Sequence, residues 1–321
     1  MPAEVHAYHA HLAAAQAAAG SNPLEALTQL WQAFDFYLEP APLRLACQLL
    51  SPWPELAARL RHLTELIYPD QALDSPEPFG LSQAEPPEQV SAPQAEPAQL
   101  LPWRNLLWPS RRPSLSVCMI VRNEAPVLAT ALASIREIAD EIIVVDTGSS
   151  DETMAIAAAE PKVRLSQLPW RNDFATARNA SLDLASGDWI LVLDADEELL
   201  PTGRQALREL LAYPPLGWQV YICPIEQLLS NGGLFYSWGT RLFRRDAALR
   251  FSGALHEMPV KWSWPQWLLA VPVPARLRHS GNLPINYVRQ HKSKRAEQLR
   301  RLVEDPATYT PFLAYHYAHL L

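Results

Sequence analysis

The sequence contains only three cysteines, and they lie far apart in the chain. Cys47, Cys118 and Cys223 form no C-x-x-C pair. Closely paired cysteines are what a zinc site or a disulfide framework requires, so the sequence predicts neither. Isolated cysteines are typical of a reducing compartment, and we therefore expect a cytoplasmic protein.

The sequence also lacks long apolar runs and any excess of positive charge. No run of about 18 apolar residues is present to span a bilayer, and no basic start followed by a hydrophobic segment opens the chain. The net charge of -7 and the pI near 5.7 provide no general attraction to nucleic acid. We expect no transmembrane segment, no secretion and no nucleic-acid partner.

The chain does have the length and the apolar content for a large core. Its 321 residues, of which 49% are hydrophobic, are enough for one large domain and a smaller one. Residues 1–72 predict the smaller one, a helical module. Leu27, Leu30, Trp31 and Phe34 recur at helical spacing and mark one buried stripe. The module resembles tetratricopeptide repeats only loosely, because no two copies match at a fixed period.

Two further segments lie outside the predicted main domain. Residues 73–113 are rich in proline, glutamate and glutamine, which predicts an extended linker. The last part of this linker carries Trp103 and Trp108, which we expect to pack on the domain that follows. Residues 286–321 predict C-terminal helices, which either cap the domain or bind a protein partner, including a second copy of the chain.

Residues 114–285 predict the main domain, an α/β fold with a doubly wound, mostly parallel sheet. From Leu115 onward apolar strands alternate with helices, which is the pattern of parallel sheets covered by helices. The run from Trp189 to Leu193 has five consecutive apolar residues. Such a run indicates a strand that is buried on both faces.

Acidic residues follow that buried run at once. Asp194 and Asp196 project from the same face of an extended chain, and ligands bind at the carboxyl edge of such sheets. Two carboxylates suffice for Mg²⁺ or Mn²⁺, because these ions also take ligands from water and substrate phosphates. The alternative is that acidic residues cap the next element. We expect that role for Glu197 and Glu198, at the start of a helix.

Four motifs resemble those of family 2 glycosyltransferases of GT-A fold. They are Ser116 to Glu124, Asp140 to Asp151, Ala177 to Asn179, and Gly187 to Glu197. The order and the spacing both match, and the resemblance covers about Leu115 to Leu283. The most similar branch joins the transferase domain to helical repeats and includes the sublancin-type peptide S-glycosyltransferases.

The resemblance implies a nucleotide-sugar donor, expected to be UDP-linked, and an acceptor that stays open among peptide, lipid and saccharide. It also implies which residues bind the donor. These are Val121, Asn123, Glu124, Asp146, Arg178, Asp194 and Ala195. Two alternatives stay open: Asp146 begins an ordinary Asp-Thr-Gly-Ser turn, and Arg178 is an exposed helix arginine.

The resemblance further implies a metal site and a proton acceptor. Asp196 would hold Mg²⁺ or Mn²⁺, Asp194 would hold the metal or the ribose, and His279 would contact the metal or a phosphate. An inverting transferase needs a base on the face opposite the leaving group, and Glu257 is the candidate. The alternative for Glu257 is a structural pair with His256.

Two other functions stay open from the sequence. A sugar-nucleotide pyrophosphorylase uses a related sheet and metal, but its first loop is a glycine-rich phosphate cradle ending in Gly-Thr-Arg. This chain has Arg122-Asn123-Glu124 there. A non-catalytic adaptor would bind a protein through its helices and keep an inert sheet domain. Arg241 and Arg244 are open in the same way, as diphosphate contacts or as salt-bridge partners on the surface.

Overall fold

The computed structural model describes residues 3–34, 40–68, 97–215, 220–228, 234–254, 257–261, 270–279 and 300. Its helices are α1 (Ala3–Ala18), α2 (Pro23–Phe34), α3 (Pro40–Leu49), α4 (Pro54–Ile67), α5 (Leu101–Leu107), α6 (Leu128–Ile135), α7 (Thr153–Ala158), α8 (Phe174–Leu184) and α9 (Pro201–Leu210). A short 3₁₀ helix, Ala98–Leu100, precedes α5. Among these helices, none has both the length and the apolar character needed to cross a membrane.

The N-terminal helices form where the sequence predicts them. Leu27, Leu30 and Phe34 are buried on one side of α2, as their helical spacing requires. Helices α2, α3 and α4 each begin with a proline. Proline suits this position because the first helical N–H groups have no partner within the helix.

An arginine of α4 joins these helices to the rest of the molecule. Arg59 donates from Nε to the carbonyl oxygen of Leu107, at 2.6 Å. Its guanidinium also lies over the rings of Trp108 and Tyr213, at 5.2 and 5.4 Å from their centroids. Arginine stacks on aromatic faces through the ring quadrupole, so this side chain links α4 to the segments that follow α5 and α9.

Eleven strands follow in chain order. They are β1 (Leu115–Val121), β2 (Glu141–Asp146), β3 (Val163–Gln167), β4 (Trp189–Val192), β5 (Glu197–Leu199), β6 (Val220–Leu228), β7 (Leu234–Arg244), β8 (Leu249–Ser252), β9 (Met258–Lys261), β10 (Ala270–Pro272) and β11 (Leu277–His279). Nine of them form one sheet in the order β3-β2-β1-β4-β7-β6-β11-β5, with β10 also on β6. Strands β8 and β9 form a separate antiparallel ribbon.

The sheet has a parallel half and a mixed half. Strands β3, β2, β1 and β4 are parallel to one another. Strand β7 runs antiparallel to both β4 and β6, whereas β10 and β11 are parallel to β6. The predicted α/β class with a mostly parallel sheet is therefore confirmed.

Helices cover both faces of the parallel half. Along β1, Val117 and Met119 pack into one core with Leu132 of α6. Cys118 points the other way and packs into a second core with Leu182 of α8. Because both faces are buried, this strand needs apolar residues at consecutive positions, which explains the unbroken runs in the sequence. The predicted doubly wound arrangement is confirmed.

The prediction that Glu197 and Glu198 begin a helix is wrong. Both residues belong to β5, which pairs antiparallel with β11, and α9 begins only at Pro201. Glu197 is buried and Glu198 is partly exposed, so the two side chains leave opposite sides of the strand. An alternation of only three residues is too short to be distinguished from a helix start in the sequence.

The predicted domain limits fall partly outside the described residues. Residues 73–96 of the predicted linker and residues 286–321, except Arg300, are among those not described. The described end of the linker forms the 3₁₀ helix and α5. There Trp103 is buried, with ring centroids 5.5 Å from both Trp31 and Phe34 of α2. The limits of the domains, and partner binding by the terminal helices, stay predictions.

Candidate functional site

The carboxyl ends of β2, β1 and β4 lie side by side. Val121 at the end of β1 pairs with Asp146 at the end of β2. On the other side, the N–H of Leu193, just beyond β4, donates to the carbonyl oxygen of Cys118 at 3.1 Å. The polar segments that follow these three strands therefore open onto the same edge of the sheet, as the sequence predicts.

The loops after β1 and β2 are tied together through Asn123. This residue has a φ of 57°, a left-handed conformation that asparagine tolerates better than most residues. Its N–H donates to Oγ of Ser149 at 2.9 Å, and its Oδ1 accepts from the N–H of Ser150 at 2.8 Å. The N–H of Glu124 donates to Oγ1 of Thr153 at 2.7 Å. The two loops thus form one continuous wall.

Asp146 is buried in that wall and holds the turn that follows it. Its carboxylate accepts from the N–H groups of Gly148 and Ser149, at 3.0 and 3.1 Å. Gly148 has a φ of 106°, which a residue with a side chain rarely adopts. The turn role that the sequence left open for Asp146 is therefore present in the structure.

Arg178 is buried on α8 and is not an exposed helix arginine. Its side chain is only 6% exposed, its Nε donates to Oε1 of Glu257 at 3.1 Å, and one Nη donates to Oδ1 of Asp194. The other Nη is buried and has no hydrogen-bond partner among the described residues. Burial works against the charged form, but Asp194 and Glu257 raise the pKa of Arg178. This side chain is a permanent cation.

Asp194 lies between two arginines. One carboxylate oxygen accepts from Arg178, and the other accepts from Nη2 of Arg241 at 3.1 Å. Burial alone would raise the pKa of Asp194, but the two guanidinium groups lower it well below its ordinary value. Asp194 is therefore an anion with both oxygens engaged by cations.

A β-bulge brings Arg241 to this place. Tyr221 pairs with Leu242, and Ile222 pairs with Thr240. Arg241 is therefore an extra residue on β7 that has no paired residue on β6. Bulges of this kind change the direction of a side chain, and they are common beside active sites. Here the bulge lets Arg241 and Leu242 face the same side of the sheet.

Glu197 is the main partner of Arg241. Its two carboxylate oxygens accept from Nε at 3.1 Å and from Nη2 at 2.7 Å, a bidentate pair. Burial raises the pKa of Glu197, and the positive charge of Arg241 opposes this effect. A Cβ atom at Gly239 would lie 3.3 Å from Cζ of Arg241, so glycine leaves room for the guanidinium. We call Arg178, Asp194, Glu197, Arg241 and Glu257 the arginine–carboxylate cluster.

Asp196 and His279 form a second pair, which we call the exposed pair because both of its side chains are partly exposed. Nε2 of His279 lies 2.9 Å from Oδ2 of Asp196, and the two side chains are 33% and 24% exposed. The hydrogen bond to Asp196 is the largest influence on His279 and raises its pKa, although burial works in the opposite direction. The pairing of β11 with β5 sets His279 opposite Glu197, so the exposed pair borders the cluster.

Residues 116–216 match the family model described as glycosyl transferase family 2. The chain contains a family 2 glycosyltransferase domain. The matched residues of this domain include β1 through α9 and both aspartates that follow β4. The resemblance that the four motifs indicate is confirmed.

Proteins similar to this chain include two curated relatives. A TPR repeat-containing protein of Synechococcus elongatus is 40% identical over 200 residues, 59% of this chain and 47% of that protein. The SPbeta prophage-derived glycosyltransferase SunS of Bacillus subtilis is 29% identical over 156 residues, 48% of this chain and 36% of that protein. The match thus spans less than half the length of each of these relatives.

One solved structure among the matches is glucosyl-3-phosphoglycerate synthase from Mycobacterium tuberculosis, in complex with Mn²⁺, uridine diphosphate and glucosyl-3-phosphoglycerate. It is 25% identical, with 36% of this chain and 44% of that chain covered and a TM-score of 0.30.

The predicted site residues fall into three neighbouring groups. The loop wall contains Val121, Asn123, Glu124 and Asp146. The arginine–carboxylate cluster contains Arg178, Asp194 and Glu257. The exposed pair is Asp196 and His279. Ala195, between the two aspartates, is buried in the core. The roles of these residues stay predictions.

The donor atoms of the exposed pair fit a divalent ion better than those of the cluster. Among the described residues, no three His, Cys, Asp or Glu side chains are grouped to hold a metal. Asp196 and His279 offer an oxygen and a nitrogen close together, whereas both oxygens of Asp194 face arginines. Two protein ligands suit Mg²⁺ or Mn²⁺ when substrate phosphates and water supply the others.

The sequence did not indicate the part that Glu197 plays in the family 2 domain, and it left the role of Arg241 open. A bulge cannot be recognised from the hydrophobic alternation of two or three residues. The side of the sheet to which the Arg241 side chain points was therefore not predictable. Glu197 had one usable signal, its position three residues after Asp194 beyond a buried strand. That signal is equally typical of a helix N-terminus.

Proposed function

We propose that this chain is a metal-dependent, inverting glycosyltransferase that moves a sugar from a UDP-linked donor to an acceptor nucleophile. One observation carries the proposal. At the ligand-binding edge of a family 2 domain, Arg178 is a buried cation with one Nη that has no hydrogen-bond partner among the described residues. Its partner Asp194 lies two positions before Asp196 of the partly exposed carboxylate–imidazole pair. Fixed charges of this kind stabilise a diphosphate leaving group.

The loop wall would receive the nucleoside. Asp146 keeps its turn in one conformation, and Asn123 ties the neighbouring loop to it. A wall held by several hydrogen bonds is formed before the ligand arrives, so little ordering entropy is lost on binding. UDP is the donor that the family resemblance implies, and a panel of nucleotide sugars tests this.

Asp196 and His279 would hold Mg²⁺ or Mn²⁺. When bound, the ion supplies positive charge that neutralises the nucleoside diphosphate as the bond to the sugar breaks. Arg178 would supply further positive charge, because the Nη that has no hydrogen-bond partner in the described part of the chain can donate to the base or to a diphosphate oxygen. Asp194 and Glu257 keep that guanidinium in place.

Glu257 would take the proton from the acceptor. Its carboxylate oxygen Oε1 is 3.1 Å from Nε of Arg178. Arg178 orients the carboxylate and leaves its other oxygen for the acceptor. Attack from the face opposite the leaving group inverts the anomeric configuration. The acceptor stays open among peptide, lipid and saccharide, because acceptor sites are built from variable loops.

A donor-turnover assay tests the proposal. Purified protein is incubated with Mn²⁺ or Mg²⁺ and a panel of nucleotide sugars, and release of nucleoside diphosphate is measured. We expect release with a UDP-sugar and loss of release in Asp196→Asn. Asp183→Asn is the matched control, because Asp183 is an exposed aspartate of α8 whose partner is Arg250.

Other outcomes would reject the proposal. Formation of a nucleoside triphosphate and a sugar 1-phosphate, when pyrophosphate is added to the nucleotide sugar, would indicate a sugar-nucleotide pyrophosphorylase. Failure to bind any donor in calorimetry would indicate an inert sheet domain, as in an adaptor. For the base, Glu257→Gln should lower kcat by about 100-fold or more while donor binding persists. An unchanged kcat in that variant would remove Glu257 from the mechanism.

A further inference from the structure

The cluster is a linear chain of alternating charges. From one end to the other its members are Glu197, Arg241, Asp194, Arg178 and Glu257. Each contact joins opposite charges. This row of ion pairs crosses from β5 through β7 to α8. The two ends of the cluster are therefore connected through shared charged partners.

Glu197 is the member that a substrate cannot reach. Its side chain is 2% exposed. Both of its oxygens bind Arg241, and Oε2 also accepts from the N–H of Asp194 at 3.2 Å. A residue in this situation contributes to a reaction only through its neighbours.

Three features of the fold give Arg241 a single position. The bulge turns it out of the normal alternation of β7. Gly239 leaves space for its guanidinium, because a Cβ atom there would lie 3.3 Å from Cζ of Arg241. The same Cβ atom would lie 2.7 Å from Cδ1 of Ile225. The pairing of β5 with β11 then sets Glu197 against it. Ion pairs on a protein surface form without such constraints on the backbone and on neighbouring residues.

We propose that Glu197 is a positioning residue: it holds Arg241 against Asp194, and Asp194 in turn orients Arg178 toward the leaving diphosphate. The inference rests on the proposed glycosyl transfer. Its physical basis is that a small misplacement of a charged group in an active site costs large factors in rate.

The same strand provides a matched control. Glu198 is the next residue of β5, its side chain lies on the opposite side, and its Oε1 is 3.4 Å from Nη1 of Arg278. Glu197 and Glu198 are thus residues of the same type on the same strand, and each pairs with an arginine of its own. They differ in burial and in whether their partner touches Asp194.

The first measurement compares Glu197→Gln with Glu198→Gln in the full chain. Rates of nucleoside diphosphate release are divided by the folded fraction of each protein. We expect Glu197→Gln to lower kcat about 100-fold while the KM for the donor changes less than about threefold. Glu198→Gln should change kcat less than about twofold. Equal effects of the two variants, or a loss explained by unfolding alone, would overturn the proposal.

The second measurement is independent of activity. Hydrogen exchange of the Nε–H of Arg178, which donates to Glu257, is followed by NMR in each variant. We expect exchange about tenfold faster in Glu197→Gln than in the parent chain, and no change in Glu198→Gln. If Glu197→Gln does not fold, Glu197→Asp keeps the charge and should give an intermediate effect on both readouts.

The two readouts separate this inference from the proposed function. If the parent chain turns over no donor, the proposed function fails, and the exchange of Arg178 alone decides whether Glu197 positions it. If the parent chain is active and exchange at Arg178 is unchanged in Glu197→Gln, the positioning role is rejected and glycosyl transfer stands.

Discussion

The two ends of β4 carry the same chemistry in opposite surroundings. Asp188 lies directly before the strand and forms a bidentate pair with Arg111, with both contacts at 2.7 Å. Asp194 lies just after the strand and binds Arg178 and Arg241. Arg111 is 68% exposed, whereas Arg178 is 6% exposed. The contrast lies in the partners and not in the aspartates.

The difference shows what each end is built to do. Asp188 also accepts from the N–H and Oγ of Ser114, at 2.8 and 3.0 Å, so it fastens the start of β4 to the residue before β1. These partners are local and partly solvated. Asp194 instead gathers cations from α8 and β7 at the edge where ligands bind. The first arrangement stabilises the fold, and we propose that the second concentrates charge for a ligand.

The largest expected effect is that of Asp194→Asn. The neutral amide of asparagine would remove the negative charge that both Arg178 and Arg241 contact, and its NH₂ group would face one of the two buried guanidinium groups. We expect a loss of ~2–3 kcal/mol in the free energy of unfolding, less than for a fully orphaned buried ion because Glu257 and Glu197 remain. Activity should fall at least about 100-fold. Denaturant unfolding measures the loss of stability, and the donor-turnover assay measures the loss of activity. Normal turnover in this variant would contradict the proposed difference between the two ends of β4.

Asp188→Asn should have a smaller effect and only on stability. The variant loses a charged acceptor for Ser114 and Arg111, so we expect ~1 kcal/mol less free energy of unfolding. Turnover per folded molecule should match the parent chain. The same denaturant series measures the change. A loss of turnover here would mean that the amino-terminal edge also belongs to the site.

The contribution of Asp188 should depend on pH in a defined direction. Hydrogen bonds from Arg111, and next those from Ser114, lower the pKa of Asp188 in the folded chain, although burial opposes them. The unfolded value is about 3.9. The stabilisation is therefore complete above that pH and is lost as the pH falls toward the folded pKa. The difference in unfolding free energy between the parent chain and Asp188→Asn should shrink below about pH 4. A constant difference would contradict the assignment.

The smallest expected effect is that of Arg111→Ala. Arg111 is exposed, and exposed ion pairs are screened by solvent and salt. We expect the melting temperature to change by less than about 2 °C, and by still less in high salt. A calorimetric scan at two salt concentrations checks this. A larger and salt-independent change would show that the two ends of β4 are more alike than their exposure indicates.

The parallel half of the sheet was predictable from the sequence. Residues 117–121 of β1, 142–145 of β2 and 189–193 at β4 are unbroken apolar runs, which are typical of strands covered on both faces. Asp146 and Asp194 were predicted at the ligand edge because each follows such a run. The mixed half was harder to predict from the sequence, since β5 has only three residues and its alternation resembles a helix start.

The contacts among the charged residues were not predictable in the same way. Glu257 and Arg178 are 79 positions apart in the chain, and their contact depends on how α8 packs on the sheet. Arg241 required a bulge, a local irregularity with no compositional signal. Glu197 looked like a capping residue because its partner is 44 positions away.

In the parallel half of the sheet, local patterns are enough to predict which residues are buried in strands, in what order strands and helices alternate, and which polar residues stand at strand ends. Periodicity and burial are local properties, so a one-dimensional pattern carries them. Local patterns do not predict that Asp194 binds arginines while Asp196 lies beside His279, and these contacts are visible only in the folded chain. The reason is that an ion pair depends on the positions of groups from distant segments, which packing sets and no local pattern records.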